Sequence, residues 1–317
     1  MKRPVTMDMR QLKYFLKVAD LGSISKASDY LHVAQSAVSM QIAGLEQELG
    51  SPLFLRRSTG VELTEPGRLL YRHARLILRQ VQIAHEDVAK ASVEPAGTVT
   101  LGLPSAVVEI VGLAMIQACK EKLPMVRLQI IEGLSVLLGE FTLSGRLDIS
   151  ILFIEHAQRG LEILPILDEE LFYVCSPRSK FALEGRKSIT LSEALQTPIV
   201  APATGNSMRA VVDAVCAAQA LVFEPVAEID SLQLVKACVM RDMAATFLPS
   251  SVIVKEEAAD DLYVVKVRAE NFTRPLSICT STLNAASSAS EAVYQMLKNV
   301  TTDLVRSGVW QGAYLRT

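Results

Sequence analysis

Between Leu70 and Ala91 the apolar residues Leu70, Ala74, Ile77, Val81, Ala84, Val88 and Ala91 are spaced four, three, four, three, four and three apart. Positions averaging 3.5 residues lie along one stripe of an α-helix, whereas a strand, with its period of two, cannot hold them on one face. At 1.5 Å per residue such a helix is a rod roughly 30 Å long. Its stripe has to be covered. A plain core helix would cover it within one chain, but positions kept in this register specify a seam between two helices. Leu70, Ala74, Ile77, Val81, Ala84 and Val88 are therefore expected to dimerise the protein. Leu69, Leu76 and Ile83 add a second apolar line at intervals of seven. Pro66 ahead of the rod and the turn residues Val93 to Gly97 behind it divide the chain into residues 1–65, a linker of 66–92 and a body of 93–317.

The first segment reads as three short amphipathic helices. Asp8 to Asp20 carries Leu12, Phe15, Leu16 and Ala19 on one face. Ser23 or Ser25 caps a second helix with Ile24, Ala27 and Leu31 inward. A turn at His32 to Ala34 leads to a third, whose buried seam is Val38, Ile42, Leu45 and Leu49. The small Ala27 and Ser28 permit the close, steep crossing of a helix-turn-helix, although ordinary core helices share this periodicity. Opposite the third seam stand Gln35, Ser36, Ser39, Met40 and Ala43, short or uncharged side chains suited to the edges of bases in a major groove. Gln35 offers the paired donor and acceptor that adenine matches. Downstream, Ser58, Thr59 and Gly60 separate two apolar runs, which read as a two-stranded wing presenting Arg56 and Arg57 to phosphates; a solvated tip is the alternative.

Charge supports that division. The whole chain carries a net −2, but residues 1–92 hold thirteen Lys or Arg against nine Asp or Glu, a net +4, which leaves −6 on the remainder. A basic segment on an acidic body suits phosphate binding. Arg68, Arg72, Arg75 and Arg79 extend the basic surface along the half of the rod nearest the wing.

The body alternates strands and helices: Thr98 to Leu103, Val107 to Lys120, Arg127 to Ile131, Val136 to Leu143 and Leu147 to Phe153 form one set. A second set starts near Leu171 and includes the helices Ser207 to Ala217 and Leu232 to Met240 and the strand Ala244 to Leu248. Such alternation implies parallel α/β architecture in two lobes. Ser105, then Gly133 and Ser135, then Thr204, Asn206 and Ser207 stand where strands give way to helices, which suits a small anion; ordinary capping would select the same residues.

With these residues in view, Met9 to Gly67, containing ASDYLHVAQSAVS, LEQELGSPLFLR and LTEPG, resembles the amino-terminal domain of LysR-type transcriptional regulators. Tyr71 to Gln80 and Arg274 to Ser281 resemble the branch concerned with nitrogen assimilation control. The resemblance implies a winged helix-turn-helix domain, a long linker helix and a periplasmic-binding-protein-like (type 2) effector domain. Its lobes would be about 98–168 plus 272–317, and 169–271, with crossovers near Asp168 and near Asn271 to Pro275. It implies that Gln35, Ser36 and Ser39 touch bases and that Arg56 holds a phosphate. It further implies that the three helix starts converge on an effector cleft, unless the cleft is vestigial. Three departures stand out. Ser36 replaces a common Pro, and Met40 replaces Arg or Gln, so that Met40 meets a thymine methyl instead. Arg241 to Ala244 replace a glycine-containing turn before Leu248 and Pro249, and Asp242 brings a negative charge against carboxylate inducers.

Other chemistry is sparse. Cys119, Cys175, Cys216, Cys238 and Cys279 are widely spaced, as buried reduced thiols are, and the four histidines lack ligand spacing, so neither a metal nor a cofactor is expected. The apolar run Leu103 to Ala118 contains Glu109 and is too short to span a bilayer, which implies a cytoplasmic protein with no membrane partner. A mean hydropathy of +0.29 points to a large core and buried subunit contacts. The expectation is a non-enzymatic regulator binding an interrupted palindrome in double-stranded DNA as a homodimer or homotetramer. RNA polymerase and a small-molecule effector are further candidate partners. The competing reading is an α/β solute-binding protein or enzyme whose first 92 residues serve only assembly.

Overall fold

The computed structural model describes residues 6–58, 60–89, 94–283 and 286–316, with the backbone alone for 85–89. α1 (Met9–Leu21) starts at a capping box in which the Asp8 carboxylate accepts the Gln11 N–H and the Gln11 side chain accepts the Asp8 N–H. α2 (Ile24–Leu31) is capped by Ser23, and His32, at φ 54°, turns the chain into α3 (Gln35–Leu49). Leu12, Phe15, Leu16, Ala27, Val38, Ile42 and Leu45 form the core expected from their spacing. Two expected positions differ. Val18 is buried where Ala19 was assigned, and Leu49, the last residue of α3, is exposed.

β1 (Phe54–Arg57) and β2 (Gly60–Leu63) form the antiparallel wing, with Arg56 opposite Val61 and Arg57 opposite Gly60. Two glycines are required here. A Cβ on Gly60 would lie 2.3 Å from the Gly22 carbonyl oxygen, and one on Gly67 would lie 2.1 Å from that of Leu53. These close approaches fasten the wing to the α1–α2 turn and the start of α4 (Glu65–Ala89) to the wing.

α4 divides the expected seam. Leu70 and Ala74 are buried in the chain's own amino-terminal core, with Tyr71 and Leu78 packed on it, so they are not free to meet a second copy. Ile77, Val81 and Ala84 remain exposed, whereas the side chain of Val88 and all of Ala91 lie outside the described residues. Of the second line, Leu69 is exposed, Leu76 half-buried and Ile83 buried. The basic stripe is divided too: Arg75 binds Asp20 at 2.8 Å, and Arg79 binds Asp148 of the body at 2.7 Å. Asp148 is held ready for Arg79 by the N–H and hydroxyl of Thr100, both at 2.8 Å.

The body is built on β3 (Gly97–Pro104), β4 (Val126–Gly133), β5 (Ile149–Leu152), β6 (Leu161–Cys175), β7 (Ser188–Thr190), β8 (Val200–Ala201), β9 (Ala227–Glu228), β10 (Thr246–Pro249), β11 (Tyr263–Arg268), β12 (Thr273–Ser281) and β13 (Ala313–Leu315). The expected parallel pairing holds for β3 with β4 and β5, for β7 with β11 and for β8 with β9. β6 and β12 pair antiparallel along their length, Asp168 opposite Pro275 and Glu170 opposite Thr273, and so make the sheet mixed. The first half of β6 belongs to one lobe; its second half carries β10 on one side and β11 on the other in the second. Each lobe has its own core, one around Leu101, Val111, Ile151 and Trp310, the other around Tyr173, Phe247 and Val265. The helix expected over Val107 to Lys120 runs from Ser105 to Lys122 with a π-helical turn at Val108–Gly112. Among the described residues no helix is long and apolar enough to cross a membrane.

Candidate DNA interface and inter-lobe cavity

The outer face of α3 is free of hydrogen bonds and ion pairs to the other described residues at Gln35, Ser36, Ser39 and Met40. Gln35, Ser36 and Met40 are exposed, Met40 by 69%, and Ser39 is half-exposed. None of the four side chains makes a hydrogen bond with another described residue. Nearby, the Glu46 carboxylate accepts the N–H of Leu53 at 2.7 Å and of Phe54 at 3.3 Å, tying α3 to the first wing strand. That link fixes where the wing stands relative to the helix. Arg56 and Arg57 are exposed on β1; Arg57 reaches Glu62 across the wing at 3.5 Å, and Arg56 has no ion pair among the described residues. Thr59, assigned to the wing turn, lies outside the described residues. A bare polar face beside cationic side chains is suited to bases and phosphates.

In the body, Ser105, Gly133, Ser135, Thr204, Asn206 and Ser207 all line one cavity of about 300 Å³ between the lobes. Two of them also serve the fold: Ser135 Oγ accepts the Phe153 N–H at 3.0 Å, and Asn206 caps the helix Ser207–Ala218 through the Met208 N–H. Asp242 does not line the cavity. It is exposed on the turn before β10 and takes the left-handed conformation, φ 59°, that glycine would otherwise supply. The carboxylate that does line the cavity is Asp230, whose Oδ1 accepts the Ala203 N–H at 3.2 Å.

Sequence reasoning missed the polar hub at the lobe crossover. Arg274, 1% exposed, donates from Nε at 2.9 Å and from Nη2 at 2.6 Å to Glu169, also buried. The other Glu169 oxygen accepts the Ser251 hydroxyl at 2.6 Å and the Trp310 indole N–H at 2.9 Å. Arg274 also lies over the Phe153 ring at 3.7 Å and lines the cavity. Its place in the motif RPLSICTS was visible, but its partner is 105 residues away. Four thiols, Cys119, Cys175, Cys216 and Cys279, are buried as expected, and burial raises their pKa values, that of Cys279 to about 12. Cys238 is only partly buried.

A winged helix-turn-helix joined by a long helix to a two-lobed α/β domain with a cavity between its lobes is the architecture the sequence comparisons have to account for. Residues 9–68 match the family described as bacterial regulatory helix-turn-helix protein, lysR family, and residues 92–302 match the LysR substrate binding domain. The chain belongs to the LysR family of transcription regulators. It is 30% identical to the nitrogen assimilation regulatory protein nac of Klebsiella aerogenes, over 92% of this chain and 94% of that one. It is 24% identical to the HTH-type transcriptional regulator BbuR of Bordetella bronchiseptica, over 96% and 94%. Among solved structures, a full-length OxyR variant from Pseudomonas aeruginosa superposes with a TM-score of 0.74 at 21% identity, covering 94% of this chain and 95% of that one. Full-length CbnR complexed with its target DNA superposes with a TM-score of 0.66 at 20% identity, covering 93% and 100%.

Proposed function

We propose that this cytoplasmic regulator reads an interrupted palindrome as a dimer or a dimer of dimers. Gln35, Ser36, Ser39 and Met40 face base edges, and Arg56 and Arg57 hold the backbone. The observation that carries this assignment is the outer face of α3, whose side chains have no hydrogen-bond partner among the described residues while the wing beside it is tied to the same helix by Glu46. Dimerisation falls to Ile77, Val81 and Ala84, the part of the seam left exposed on α4. Two copies related by a two-fold axis present two α3 helices, which calls for two related half-sites. The cavity between the lobes takes a small effector through its helix amino termini. Occupancy reaches α4 through Arg79 and Asp148, the ion pair joining body to linker. RNA polymerase is the partner through which bound protein changes transcription. Footprinting of the bound protein across a bacterial genome tests the reading. Recovered sites should share a two-fold related motif; sites without shared sequence would refute selective reading.

A further inference from the structure

Two opposite charges enter the inter-lobe cavity from different elements. Arg274 comes from the crossover strand β12, and its charge is matched by Glu169, so the pair is neutral as a unit. Its Nη1 has no hydrogen-bond partner among the described residues, although the side chain is almost wholly buried. Such a group keeps the capacity to bind an anionic oxygen at little further desolvation cost. Asp230 comes from the second lobe, between β9 and the helix Leu232–Met240. Its Oδ1 accepts the Ala203 N–H, and its Oδ2 has no described partner. The helices Ser135–Leu143 and Ser207–Ala218 begin at the same cavity; the first has no side-chain cap, and in the second the Met208 N–H is taken by Asn206, so the uncapped N–H groups are what favour an anion.

The charged side chains on the lining are thus Arg274 and the exposed Asp230, a formal sum of zero, with Arg274 also paired to Glu169 behind the wall. A dianion would meet Asp230 uncompensated. A ligand with one anionic and one cationic end satisfies both parts of the wall. At about 300 Å³ the cavity is at the small end of ligand sites, and Leu134, Val136, Met208, Leu232 and Leu248 offer apolar contact to a short side chain.

We propose that the cavity binds a small zwitterion of the α-amino acid class, its carboxylate held by the helix amino termini and Arg274 and its ammonium group by Asp230. The proposal rests on the reading of this cavity as the effector site. It replaces the simple anion expected from the helix starts alone.

Calorimetry on the full-length protein tests it with matched pairs that differ only in the amino group: L-serine and 3-hydroxypropionate, L-leucine and 4-methylpentanoate, L-glutamine and glutaramate. At least one amino acid should bind about tenfold or more tighter than its partner, and Asp230→Asn, which keeps an oxygen for the Ala203 N–H, should erase that preference. Equal binding within every pair, or no binding of any of these amino acids at millimolar concentration, overturns the zwitterion. Val136→Trp, at an exposed position on the cavity wall, separates this failure from that of the underlying reading. Des-amino acids that bind and are excluded by Val136→Trp leave the effector site standing and remove only the ammonium contact. Binding that survives Val136→Trp lies outside the cavity and removes both.

Discussion

The proposed reading face of α3 and the cavity between the lobes hold their side chains under opposite constraints. On α3, Gln35, Ser36, Ser39 and Met40 point away from the core and bond to nothing described within the chain. In the cavity, Ser135 supports the Phe153 backbone, Asn206 caps a helix, and Arg274 belongs to a buried pair. A residue on the first surface can therefore change with little cost to folding. On the second, a change at Ser135, Asn206 or Arg274 alters the fold and the site together. The outer face of α3 can vary on a constant scaffold, while part of the cavity wall is tied to the Arg274–Glu169 pair at the lobe crossover.

The largest test of this contrast is Glu169→Ala, which strands the Arg274 charge and removes the acceptor for Ser251 and Trp310. It should lower stability by about 3–5 kcal/mol in chemical denaturation; a loss below about 1 kcal/mol would show that the hub does not hold the crossover. Next in size is Val81→Asp. Val81 is 45% exposed, so the monomer should fold normally while dimerisation weakens by about a hundredfold, near 2.7 kcal/mol, in sedimentation. Ala74→Asp, by contrast, should unfold the amino-terminal module, because Ala74 is fully buried in it. If both variants only dissociate the dimer, the division of the seam is wrong.

Gln35→Ala should remove about 1–3 kcal/mol of discrimination between operator and mutated operator and leave the melting temperature unchanged. Arg56→Ala should weaken all sequences alike and lower the slope of log affinity against log salt by about 1 in anisotropy titrations. A sequence-dependent effect of Arg56→Ala would move that residue from positioning to reading. The smallest effect concerns the thiols. In the native protein at mildly alkaline pH, a disulfide reagent should label Cys238 first, since burial raises the pKa of the other four and withholds their thiolates. Prompt labelling of Cys279 would contradict its burial.

Local periodicity made the reading module legible. The apolar faces of α1, α2 and α3 follow from spacing within each helix, and Leu232–Met240 in the body has the bounds its pattern predicts. That the six cavity residues stand where strands give way to helices was legible locally, and that these places meet in one cavity followed only from the family resemblance. What spacing could not reveal depends on tertiary contact. Ala74 and Val81 occupy equivalent positions in one repeat, yet the first is covered by the chain's own helices and the second is not. Arg75 and Arg79 look like free surface cations until Asp20 and Asp148 are brought to them. Glu169 and Arg274 meet only when β6 and β12 pair, and Asp230 rather than Asp242 reaches the cavity because of how the second lobe folds. Strands β7, β11 and β13 and the helix Ser288–Arg306 also lay outside the expected set, the strands being short or dependent on distant β6 for their partners.

The central claim is that two α3 faces, set apart by the exposed part of α4, read two half-sites together. Anisotropy titration against an operator recovered by footprinting tests it when the half-sites are moved apart by half a helical turn, about 5 base pairs, and by a whole turn, about 10. The half-turn insertion should reduce affinity to that of a single half-site, because it rotates one half-site away from its α3, and the full turn should restore much of it. Equal affinity for all three spacings and for unrelated duplex would contradict the paired reader.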